Sequence, residues 1–176
     1  MKRQLKLSIL SSAIAGILIG CSASDAPQTK TVEVLEVSLN DVPASVSDVV
    51  MANSPDFKIV EVLKKRRDGR VYYDVEGELP NGDEIEFDVL MTESGPKVVE
   101  IQRDIEWEVT PKNVQDVIGK ANIDKLDIVR VIESQQAESD TIIYEIFVDG
   151  QSATPRFEVS VSGDAPAELL AEPAEH

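Results

Sequence analysis

The chain has 176 residues, 42% of them hydrophobic, and carries 33 acidic against 17 basic side chains for a formal charge of −16. That length and apolar content support one ordinary domain or two small ones, while the charge argues against nucleic acid and bare anionic membrane as general partners. With a single cysteine, Cys21, and a single histidine, His176, disulfides and histidine- or cysteine-based zinc sites fall away, as do Ser-His-Asp and Cys-His catalysis.

The N-terminus has its own grammar. Lys2, Arg3 and Lys6 precede an apolar run over residues 7–19, closed by the small Gly20 and then Cys21. The run is too short for a permanent membrane span, which takes about 20 residues. Leu18-Ile19-Gly20-Cys21 resembles a bacterial lipobox, which implies removal of residues 1–20, lipidation of Cys21 and membrane association through that lipid. The other readings are an uncleaved anchor or a signal peptide cut elsewhere. Ser22, rather than an aspartate, follows the cysteine; by resemblance to Gram-negative lipoproteins this implies an outer-membrane anchor facing the periplasm. Cleavage keeps every acidic residue and sheds three basic ones, so the mature chain is more acidic still.

Residues 21–30 are small and polar and suit a flexible tether. From residue 31 the chain runs through one plan twice. Pro43, Val46, Asp48, Val49 and Val50 match Pro111, Val114, Asp116, Val117 and Ile118; Tyr73 matches Tyr144, Asn81-Gly82 matches Asp149-Gly150, and Phe87 and Val89 match Phe157 and Val159. The spacing predicts repeats over residues 31–103 and 104–163, followed by a disordered acidic tail over 164–176.

Each copy reads as a short helix followed by antiparallel strands. Pro43 and Pro111 suit a first helical turn, with Asp41 and Thr110 as caps. Val46, Val49 and Val50 mark one face of the first helix, as Val114, Val117, Ile118 and Ala121 do of the second. Strands are expected at 57–65, 71–79, 85–89 and 97–101 in the first copy, and at 128–132, 142–148 and 156–161 in the second. Asn81-Gly82 supplies a tight hairpin turn. The expected fold class is α+β: two repeats, each a short helix packed on an antiparallel sheet of three to four strands.

This order of proline-started helix, β-branched strand, tyrosine-containing strand, Asn-Gly or Asp-Gly turn and phenylalanine-containing strand resembles the PepSY-like families. The tandem arrangement is similar to the two-repeat fold of beta-lactamase inhibitor proteins. The resemblance implies a secreted binding or inhibitory module without enzymatic activity or cofactor.

No phosphate-binding glycine loop and no calcium-loop pattern is present. The acidic strand residues read as a solvated face. Because a short helix covers only one face of a sheet, the other face is left for a partner; in the first copy it carries Tyr72, Asp74, Glu76, Glu84, Glu86 and Asp88. Lys64, Lys65, Arg66 and Arg67 fall at the first hairpin. They read either as a charged tip that keeps the turn soluble or as a contact for anionic headgroups, lipopolysaccharide or an acidic partner. Trp107 sits at the junction of the copies, where packing between them is expected. Together these features describe a lipid-anchored envelope module that binds a protein and inhibits or regulates an envelope enzyme. The alternative is a structural or assembly lipoprotein of the outer membrane.

Overall fold

The computed structural model describes residues 33–120, 127–151 and 154–171. The signal segment, Cys21, the tether, Ala121 and His176 lie outside them. In chain order the elements are β1 (Glu33–Glu36), α1 (Ala44–Asn53), β2 (Lys58–Arg67), β3 (Arg70–Glu78), β4 (Glu84–Thr92), β5 (Gly95–Ile105), α2 (Lys112–Lys120), β6 (Ile128–Gln136), β7 (Thr141–Val148), β8 (Phe157–Ser162) and β9 (Glu168–Leu169). Single 3-10 turns at Leu39–Asp41 and Trp107–Val109 precede the two helices.

The nine strands of the described residues form one antiparallel sheet whose spatial order equals the chain order. This corrects the expected fold class. The molecule is mostly a single continuous sheet with two short α-helices among the described residues, not two repeats that each hold a separate sheet of three or four strands. The physical cause is the length of β5. Its first half pairs with β4, and it then runs on so that Glu100 through Ile105 pair with Gln136 through Val131 of β6. Hydrogen bonds continue across the boundary between the copies, and neither half has an edge there.

The prolines end the connecting segments as their fixed φ dictates. Val46 N–H donates to Pro43 O at 2.9 Å, and Val114 N–H to Pro111 O at 3.0 Å, opening the two helices. Pro43 itself holds the capping position of α1 and no side chain caps it, so Asp41 does not take the role expected of it. Thr110 Oγ1 instead donates back to Glu106 O at 3.3 Å. At the hairpins, Asp68 (φ 51°) with Gly69 (φ 78°), and Gly82 (φ 84°), supply the left-handed backbone that tight turns need.

Two apolar clusters lie against one face of the sheet. Val46 and Val50 of α1 meet Phe57, Val62, Tyr73, Val75, Phe87, Val89 and Val98, with the Phe57 and Phe87 rings edge-to-face at 5.1 Å. Val114 and Ile118 of α2 meet Val131, Tyr144, Ile146 and Val159. Ile101 packs on the first cluster and Ile105 on the second. Four residues apart on one strand, they share a face, so both helices cover the same side. Trp107 packs on the second cluster, and Gln115 Nε2 fixes its backbone by donating to Trp107 O at 3.1 Å. It therefore belongs to one core, not to a seam between two. Within the tail expected to be disordered, Glu168 and Leu169 pair with Ser160 and Val159 and give the sheet its last edge.

Candidate functional site

Among the described residues, the other face of the sheet carries no helix. Alternation along β3 and β4 sends Tyr73, Val75, Phe87 and Val89 to the covered side, which leaves Tyr72, Asp74, Glu76, Glu84, Glu86 and Asp88 together on the uncovered one. Register then lines them up across strands. Asp74 stands opposite Asp88, Asp88 opposite Glu100, and Glu100 opposite Gln136. A second row runs Glu76, Glu86, Gln102 and Ser134.

The solvated-face expectation fails here. Asp74 is 3% exposed and Asp88 7%, and Glu100, Glu145 and Glu158 are buried too. Curvature is the reason. A cavity of about 280 Å3 is lined by Lys65 and Tyr72 on β2 and β3 and by Glu145 on β7, with Asp74, Glu86, Asp88 and Gln102 between them. In a flat sheet β3 and β7 would stand four strand spacings apart, roughly 19 Å, too far to line one small cavity. The sheet therefore curls around its uncovered face and makes it a cleft. Glu76 and Glu84, with Asp104 and Arg130, line a smaller pocket of about 40 Å3 alongside.

Within the cleft the acids are unequally served. Ser134 Oγ donates to Glu100 Oε1, and Gln136 Nε2 donates to the same oxygen at 3.0 Å. Arg130 Nε binds Asp104 Oδ1 at 2.7 Å. Lys65 Nζ forms an ion pair with Asp74 Oδ2. Apart from that pair, neither oxygen of Asp74 nor Oδ1 of Asp88 meets a hydrogen-bond partner among the described residues, although all three are buried. One oxygen from each of Asp74, Glu86 and Asp88 lies within 4.8 Å of the others.

Electrostatics follow from this crowding. Burial, and then the Asp88 charge, push Asp74 up to about 7 against the pull of Lys65. Glu86 is likewise raised to about 7, by burial first and then by Asp74. Burial and Glu86 raise Asp88 as well. Glu76 is raised by burial and by Glu61 and Glu84. Lys65 is held above its ordinary value: burial pulls it down, but Asp74, Asp88 and Glu86 outweigh that pull. Three carboxyls thus share one ammonium.

The four basic residues of the first hairpin do not form one patch, because strand alternation divides them. Lys65 and Arg67 point to the cleft, where the Arg67 guanidinium sits 5.1 Å over the Tyr72 ring. Lys64 lies 5.8 Å from the Tyr73 ring on the covered side, and Arg66 Nε is 4.0 Å from Glu33 Oε2. Sequence reasoning passed over Gln102 and Glu145. Glu145 was detectable as a lone acid inside the apolar run Ile142-Ile143-Tyr144-Glu145-Ile146-Phe147-Val148. No protein-family model matches the chain, and no curated protein matches it. The PepSY-like resemblance accordingly rests on the order of elements alone.

Proposed function

We propose that this chain is a lipid-anchored binding module of the cell envelope, facing the periplasm from the outer membrane, that takes a cationic partner into its acidic cleft and thereby regulates it. The observation that carries the reading is the row Asp74, Asp88 and Glu100, in which like charges face each other across adjacent strands. Such pairs destabilise a sheet, and burial makes the cost greater. A face built this way is complementary to positive charge brought from outside. The Cys21 motif supplies the anchor and residues 21–30 the reach.

Two measurements test it. Cys21→Ala protein is expected to lose its acyl label and its fractionation with membranes; unchanged labelling overturns the anchor. Envelope extract passed over immobilised full-length protein is expected to yield a discrete basic partner that about 1 M salt releases, since screening there acts over about 3 Å. Capture must fall when Glu76, Glu84 and Glu145 are changed together to glutamine. Equal capture by that variant excludes the cleft.

A further inference from the structure

We propose that Asp74, Glu86 and Asp88 form a binding site for a hard divalent cation of calcium size at the floor of the cleft. The site goes beyond the partner-binding reading and stands if that reading fails.

The donor set comes first. Three carboxylates from β3 and β4 each place an oxygen within 4.8 Å of the other two, and the cleft adds Gln102 and Glu145 on its walls. All these donors are oxygen. Calcium takes six to eight oxygen ligands at about 2.3–2.6 Å in flexible geometry, whereas zinc and copper prefer nitrogen and sulfur. The pleat fixes the spacing, because Asp74 and Asp88 are directly opposed and Glu86 lies two residues along β4 on the same face.

A second observation separates these carboxylates from an ordinary acidic surface. Asp88 is more than nine-tenths buried and lines the cavity, yet its Oδ1 has no hydrogen-bond partner among the described residues. One position along the same row, Glu100 is satisfied by Ser134 and Gln136. The sheet therefore provides donors where the row is structural and withholds them at Asp88. A buried oxygen left without a donor costs stability, and a cation coordinated there removes that cost.

Lys65 is the internal competitor. Its ammonium holds Asp74, but it is one positive charge against three carboxyls. Its side chain is 37% exposed near the hairpin tip, so the flexible stem lets it swing to solvent when a divalent ion arrives.

The test uses purified full-length protein, stripped with chelator and titrated with CaCl2, and separately with MgCl2 and MnCl2, at pH 7.5. A site of about 0.1–1 mM affinity, as in extracellular calcium modules, raises Tm by roughly 3–10 °C at about 10 mM Ca2+. Asp88→Asn and Asp74→Asn are each expected to weaken binding at least tenfold by calorimetry. Without metal each melts no lower than the parent, because a buried repulsion has been removed; this distinguishes loss of the site from loss of the fold. Lys65→Met is expected to tighten binding several-fold. If none of the three ions shifts Tm, or if the shift survives in the Asp74→Asn/Asp88→Asn double variant, the site does not exist.

Discussion

At the scale of the residue, Gly77 shows how closely the first core is built. A Cβ placed there would sit 2.1 Å from Lys58 O and 2.7 Å from Phe57 Cζ. Backbone cannot yield as a flexible side chain does, so Gly77→Ala forces β2 away from β3 or displaces the ring that meets Phe87. The expected loss is about 2–3 kcal/mol, read by chemical denaturation; a loss under about 0.5 kcal/mol would mean that the strands separate freely at this point. Nothing in the sequence marked this glycine, because its necessity comes from a neighbour that only the register brings near. The carboxylates teach a related lesson. Alternation assigned Asp74 and Asp88 to the helix-free face, since period two is a property of the strand itself. Their burial depends on how far the sheet curls, which no local pattern of polar and apolar residues encodes.

Among elements, the paired strands β3 and β4 carry the strongest pH dependence. Asp74 and Glu86 are both raised to about 7 in the fold, above an unfolded value near 4. Between those values the folded state holds more protons than the unfolded one, so stability falls as pH rises. The contribution is complete below about pH 4 and gone once pH passes about 7. The groups that face these carboxyls are Lys65 from β2, Asp88 from β4 itself, Glu100 from β5 and Glu145 from β7. Lys65, held above its ordinary value, stays charged throughout the window, and Asp88, raised like its neighbours, adds to the same sign. Chelator-treated protein should therefore melt several degrees higher at pH 5.5 than at pH 8, and Asp74→Asn should flatten that slope. A profile that rises toward pH 8 would contradict the crowding. The hairpins at Asn81-Gly82 and Asp149-Gly150 and the proline-led helices were legible, because turn chemistry and fixed φ are local. The β5–β6 pairing was not. Its partners, such as Glu100 and Gln136, are far apart in the chain and joined through a helix, with no turn dipeptide to announce them.

The whole molecule joins two apolar clusters, each with its own helix, through one uninterrupted ladder. Separate cores alone would permit each half to unfold by itself. Six residue pairs between β5 and β6, with Ile101 and Ile105 reaching into different clusters, argue for one cooperative unit. Ile118→Ala in the second cluster is expected to cost about 2–4 kcal/mol. It should also lower the melting of the first half by the same amount. Amide exchange on β3 measures that directly, and unchanged protection there would show two independent halves.

The strand order also bears on how the chain reaches its fold. Strands pair only with their neighbours in the chain, β1 and β9 at the ends with one each and the rest with two, so no early segment has to wait for a late one. Pairs joined by a hairpin, such as β2–β3 and β3–β4, close small loops and form quickly, while β1–β2 and β5–β6, each joined through a helix, close longer ones. A chain that emerges end first can lay down its sheet one strand at a time, each new strand using its predecessor as a template. Growth by this route leaves each new edge open only until the next strand covers it, which limits the time in which two half-made copies can pair through it.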